Sequence, residues 1–165
     1  MPDATGLELL AKELGDAAIE TVYFRNRATV VVDPAQIRTV LQTLRAQGYG
    51  FLASVHGMDH YPEEPRLGVA YELLDMTRVD RITVKLRVPV DTPRVESVTA
   101  DWPTADHQER EVYDMFGVVF EGHPDLRRIL MPEDYEGHPQ RRDFPTGGEP
   151  VIFTRDEANR LEALE

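Results

Sequence analysis

The chain has 165 residues, of which 41% are apolar and 29% charged, with a formal net charge of −12 and no cysteine. That composition fits one globular domain with at most an appendage, and it argues against intrinsic disorder and a membrane-spanning run of about 18 apolar residues. Without cysteine there are no disulfides, no cysteine zinc sites, no thiolate catalysis and no protein-ligated iron–sulfur clusters of the usual type.

The acidity makes the chain a poor non-specific ligand for nucleic acid or an anionic membrane, both of which require clustered cations. The cations are sixteen arginines plus Lys12 and Lys85. Arginine suits planar, bidentate pairing at interfaces, although a coding bias gives the same count. The start, Met-Pro-Asp-Ala-Thr-Gly, lacks the basic and apolar segments of a signal peptide.

Thr5 and Glu8 have the spacing of a capping box, and Leu7, Leu10, Ala11 and Leu14 follow at helical spacing to a stop at Gly15. Residues 21–24 and 28–32 are β-branched and aromatic and read as two strands, with Asn26 at the turn between them. Asp33, Pro34 and Gln36 open a second helix, whose stripe is Ile37, Val40, Leu41 and Leu44 and whose end is Gly48. Residues 51–55 form a strand, followed by a loop rich in Pro, Gly and acid through Pro65.

Residues 67–74 form another strand. In the next, Ile82, Val84, Leu86 and Val88 alternate with Thr83, Lys85 and Arg87, which predicts one buried and one wet face. Pro89 and Pro93 break it. Thr104 caps a helix running to Phe116, and Gly117 stops it. This order predicts an α+β fold, a mixed or antiparallel sheet with helices packed on one face, over residues 1–120. Residues 121–165 read as an extended irregular arm with a short polar helix at 154–165. Pro124, Pro132, Pro139 and Pro145 forbid a long helix, and Leu126, Ile129, Leu130, Met131, Tyr135 and Phe144 are isolated apolar anchors between charges. Such a segment suits lying across a partner in a permanent complex.

Three constellations invite chemistry. His56, Asp59 and His60 could hold a metal for hydrolysis, but Gly57 and Pro62 disfavour the helix that an i, i+4 pair needs. Glu109, Glu111 and Asp114 could be an acid–base cluster, but on a helix positions 109 and 111 point about 200° apart. Arg110 and Asp114, at i, i+4, are placed to form a surface ion pair. The doublets Arg127-Arg128 and Arg141-Arg142 could meet phosphate or acidic protein, and no glycine-rich phosphate loop accompanies them. No Gly-x-Ser-x-Gly elbow is present.

Glu109-Arg110-Glu111-Val112-Tyr113-Asp114-Met115-Phe116-Gly117, then His123-Pro124-Asp125-Leu126-Arg127-Arg128-Ile129-Leu130, then Glu136-Gly137-His138-Pro139 and Arg141-Arg142-Asp143-Phe144-Pro145 form linked blocks. Together they resemble the signature of the 30-kilodalton subunit family of proton-pumping NADH:quinone oxidoreductase, respiratory complex I. The resemblance is strong over 101–145. It departs at Asp106-His107, where an aromatic is common, and at Arg142, where the family often has Lys.

The resemblance implies a non-redox structural subunit of the hydrophilic peripheral arm, without catalytic residues of its own. It implies no cofactor on this chain, with FMN and iron–sulfur clusters in other subunits carrying electrons from NADH to quinone. The partners are other peripheral-arm subunits, chiefly the large quinone-site subunit, and membrane association is indirect, on the cytoplasmic side of a bacterial cell membrane. Docking then falls to Glu109, Arg110, Glu111, Asp114, Phe116, His123, Leu126, Arg127, Arg128, Ile129, His138, Arg141, Arg142, Asp143 and Phe144, and loss of Arg128 or Asp143 is expected to harm assembly more than folding. Alternatives are a related subunit of a membrane-bound hydrogenase or other dehydrogenase, a metal-dependent hydrolase, and a regulatory binding module.

Overall fold

The structure, a computed structural model, describes residues 4–25 and 27–145. Its elements are α1 (Ala4–Leu14), β1 (Ala18–Phe24), β2 (Arg27–Val32), α2 (Ile37–Ala46), β3 (Phe51–Asp59), β4 (Leu67–Asp75), β5 (Asp80–Val88), β6 (Arg94–Glu96), α3 (Ala105–Phe116) and β7 (Val119–Glu121). Five strands form one sheet in the order β1-β2-β5-β4-β3, and β6 pairs with β7 in a separate two-stranded ribbon. Neighbours in the large sheet are antiparallel except β2 and β5, which run parallel. The sheet is therefore mixed, as the α+β reading expects. Among the described residues no helix is long and apolar enough to cross a membrane.

Alternation on β5 sets the core. Val84 pairs with Val30 on one side and Tyr71 on the other, and Tyr71 pairs with Val55, so one buried row crosses four strands. Ile37, Val40, Leu41 and Leu44 of α2 are all buried in the same cluster. Each such side chain contributes about 1.5–3 kcal/mol by leaving water. The opposite face carries Thr83, Lys85 and Arg87, and is drier than the alternation predicts: Thr83 is buried and donates to Glu72 at 2.8 Å.

Helix α3 lies against β3, and its last turn comes so close that a methyl group on Gly57 would overlap the Phe116 ring. β3 therefore runs on through His56 and Gly57 to Asp59, four residues beyond the expected strand, because β4 continues to pair with it as far as Leu67. Thr5 lies inside α1 rather than capping it. Thr104 occupies the cap position of α3, but its side chain makes no capping hydrogen bond. β6 and β7 have three residues each, too few for a periodic signal. The helix expected at 154–165 lies outside the described residues.

Candidate functional site

Residues 122–145 form no helix or strand, and they fold back onto the C-terminal half of α3 and the loop between β3 and β4. α3 supplies a carboxylate and its own open end. The Asp114 side chain is fully buried. It accepts from Arg128 Nη1 at 2.7 Å and from the backbone N–H groups of Ile129, Leu130 and Met131 at 3.1, 2.8 and 2.8 Å. Burial alone would raise its pKa, but the Met131, Leu130 and Ile129 N–H groups and the Arg128 guanidinium outweigh that and hold it below its ordinary value. Arg128 reaches on to the Gly137 carbonyl at 2.9 Å and lies over the Tyr135 ring, which stacks on Phe144.

The last carbonyls of a helix have no partner within it. Here the arm provides them. His138 Nδ1 donates to Asp114 O at 3.0 Å, Gln140 N–H to Met115 O at 3.1 Å and Arg141 Nε to Phe116 O at 2.7 Å. Gly117 ends the helix in the left-handed region (φ 78°), where a side chain would strike His138 and Arg141.

A second clasp closes the arm. Arg66, only 6% exposed, donates twice to Asp59 (2.8 and 2.7 Å) and twice to Asp143 (2.8 and 2.6 Å). Its face covers Tyr61, and the Arg142 N–H also bonds Asp59 at 2.8 Å. The Arg66 hydrogen bonds hold both aspartates below the usual carboxylate range. Bidentate Arg–carboxylate pairs are directional as well as strong, so this one fixes the end of the arm.

Glu109 takes no part in either clasp. Its buried side chain accepts from Ser97 Oγ at 2.6 Å and Val98 N–H at 2.8 Å, and no cation bonds it among the described residues. Burial pushes its pKa up to about 7 against the pull of those two donors. The Tyr71 hydroxyl is also buried, without a hydrogen-bond partner among the described residues.

The expected docking residues thus divide. Glu109, Asp114, Arg128, His138 and Arg141 hold the chain's own fold. The expected Arg110–Asp114 pair is not made, because Asp114 turns to the arm; Arg110 instead donates to the carbonyls of Arg127 and Arg128, both at 3.2 Å. The His123 side chain is buried and bonds the Asp106 carbonyl at 3.3 Å. Leu126, Phe116 and Phe144 are half-buried. Glu111, Arg127, Ile129, Arg142 and Asp143 face solvent. The loop that Asp114 gathers also presents Leu130, 61% exposed, beside a cleft of ≈ 300 Å³ lined by Glu111, Met115 and Gln140.

The metal reading fails on geometry. His56 and Asp59 point to opposite faces of β3, Asp59 is occupied by Arg66, and His60 Nδ1 meets Arg87 at 3.0 Å. Among the described residues no group of three His, Asp or Glu could hold a metal. Sequence reasoning missed Arg66, because only folding brings it to Asp143, 77 positions away.

The family described as respiratory-chain NADH dehydrogenase, 30 Kd subunit, matches residues 30–150. A subunit of the NADH-quinone oxidoreductase of Roseiflexus sp. (strain RS-1) is 45% identical over 157 residues, covering 93% of this chain and 90% of the relative. The corresponding NADH-quinone oxidoreductase subunit from Saccharopolyspora erythraea is 46% identical over 157 residues, 91% of this chain but 63% of its own greater length. Among solved structures, the trypsin-resistant fragment of Nqo5 superposes with a TM-score of 0.64 at 33% identity, over 76% of this chain and 100% of that one. A chain of the membrane-bound sulfane sulfur reductase, an archaeal respiratory membrane complex, shares the fold with a TM-score of 0.74 at 24% identity, over 93% of this chain and 89% of its own. The family match begins within β2 and extends past both clasps, and the chain belongs to the respiratory-chain NADH dehydrogenase 30 kDa subunit family.

Proposed function

We propose that this chain is a non-redox structural subunit of the hydrophilic peripheral arm of a proton-translocating NADH:quinone oxidoreductase, bracing the large quinone-site subunit on the cytoplasmic side of a bacterial membrane. FMN and iron–sulfur clusters in other subunits carry the electrons from NADH to quinone. This chain, without cysteine, supplies surface rather than redox groups.

The observation that carries the docking role is the loop gathered by Asp114. Four donors fix residues 128–131, and the same geometry leaves Ile129 and Leu130 38% and 61% exposed. Apolar side chains on a rigid loop lose little entropy on binding, which is what a permanent interface requires. Glu111 lines the same cleft as Leu130 and, like Arg127 and Arg142, faces solvent.

Affinity purification of the tagged chain from native membranes tests this reading. A flavin- and iron–sulfur-containing assembly that reduces quinone with NADH is expected. Copurification with hydrogenase subunits instead, or rapid NADH oxidation by the chain alone, would overturn it. Within the assembly, Leu130→Asp is expected to release the chain while leaving its own unfolding midpoint unchanged.

A further inference from the structure

At the end of the sheet away from the clasps, the end of β1 and the start of β2 lie beside the β4–β5 turn, because β2 pairs with β5. Between them is a cleft of ≈ 600 Å³. Its apolar lining includes Met76 and Val79, which are 70% and 82% exposed. Next to it, Phe24 is 65% exposed under the Arg25 guanidinium. Large apolar side chains held out to water around a concave surface mark an interaction site rather than a fold requirement.

The backbone points to the same place. Among the described residues only two that are not glycine have positive φ, Arg25 at 50° and Val79 at 53°, and both line this cleft. A β-branched residue is strongly disfavoured there, and glycine would close the same four-residue turn without strain. Strain and exposure coincide at the tip of a hairpin whose strands are well paired. Strain of this kind collects at ligand clamps.

The charges select the occupant. Arg25, Arg27 and Arg81 line the cleft and face solvent, and Arg81 meets the Glu72 carboxylate only at 3.8 Å. The two aspartates of the lining are buried and engaged. Asp75 pairs with Arg78 and accepts from the Thr77 N–H, and Asp80 accepts from the Tyr49 hydroxyl at 2.7 Å and the Arg81 N–H at 2.8 Å. The outward surface is therefore cationic on a chain of net charge −12. An extended anionic surface, a membrane or a nucleic acid, would meet the whole negative molecule. A short acidic segment meets only the three arginines, since charges beyond about 8–10 Å are screened at physiological salt.

We propose that this cleft takes an acidic segment of a neighbouring subunit, with its carboxylates on Arg25, Arg27 and Arg81 and an apolar side chain against Met76 and Val79. It would be a second contact, set apart from the arm by the nine residues of β4, about 26 Å for eight steps at ~3.3 Å each. The inference rests on the preceding assignment for the existence of a neighbour, and on the cleft alone for its chemistry.

The test is photocrosslinking in native membranes with Val79→p-benzoylphenylalanine, followed by identification of the attached peptide. A crosslink to a segment of another protein rich in Asp and Glu is expected. Arg27→Glu combined with Arg81→Glu should lower its yield roughly tenfold, as removal of steering charges does. Val79→Gly should raise the unfolding temperature of the purified chain. A crosslink to lipid, to a neutral segment or to this chain itself overturns the proposal, as does no crosslink, or a Val79→Gly chain that unfolds earlier. An acidic crosslink outside any NADH-oxidising assembly would overturn the preceding assignment and leave the chemistry of the cleft standing.

Discussion

The two halves of α3 each bury a carboxylate completely, and they do opposite things with it. Asp114, near the C-terminal end, collects one guanidinium and three N–H groups, and stays charged below its ordinary pKa. Glu109, about one and a half turns earlier, has one hydroxyl and one N–H, no bonded cation among the described residues, and a pKa of about 7. Burial is the same; the number and charge of the donors differ. A buried acid is therefore a clamp in one place and a titratable weak point in another, and the helix alone does not say which.

The sharpest way to break the comparison is Asp114→Ala. It leaves Arg128 buried without its partner and three N–H groups unsatisfied, so urea unfolding of the purified chain should show a loss of about 3–5 kcal/mol. A loss below about 1 kcal/mol would mean that the arm is not integral to the fold. Arg128→Ala should follow it in size. Within the chain itself Arg128 has a folding role, because its side chain is 14% exposed and turned inward onto Asp114.

Glu109→Gln should move stability the other way. The carboxyl is held near pKa 7 when folded, against about 4.5 when unfolded, so the folded chain binds more protons between those values and stability falls as pH rises through that window. Removing the titration should flatten that fall and leave the variant more stable than the parent at pH 8, by about 1–3 kcal/mol. Thermal melts from pH 4 to 8 measure it, and an unchanged slope would remove Glu109 as the cause. Asp59, Asp114 and Asp143 have depressed pKa values, so their contribution is present above the ordinary carboxylate range and is lost as pH falls through their folded values. Stability should therefore peak on the mildly acidic side of neutrality.

Arg66→Lys tests the outer clasp. One ammonium cannot serve two carboxylates bidentately, and Asp143 is half exposed, so the loss should be about 1–2 kcal/mol and local. Limited trypsin digestion should cut faster at Arg141 and Arg142 while the sheet stays resistant; an unchanged digestion rate would count against the clasp. Thr104→Ala should have the smallest effect, within about 0.5 kcal/mol, because no capping bond is there to lose. A drop of about 1 kcal/mol would show that the hydroxyl caps in solution.

The core elements were legible because their signal is periodic and local. Ile37, Val40, Leu41 and Leu44 sit one helical turn apart, and Ile82, Val84, Leu86 and Val88 two residues apart, and all are buried. The family blocks were legible as a string of residue types. Their division of labour was not. Glu109 and Glu111 look alike in the sequence, yet one is fully buried and the other faces water. Asp59 reads in the sequence as a candidate metal ligand beside two histidines, and nothing there gives Arg66 a role.

The sequence by itself determined the helix and strand faces, the α+β class, the absence of cysteine chemistry and the family, since each depends on residue types at short fixed spacings. Only the tertiary structure decided which charges are structural and which face solvent. That choice depends on contacts such as Asp114 with Arg128 and Arg66 with Asp143, formed across 14 and 77 positions, where burial and the count of donors set each group's charge and cost.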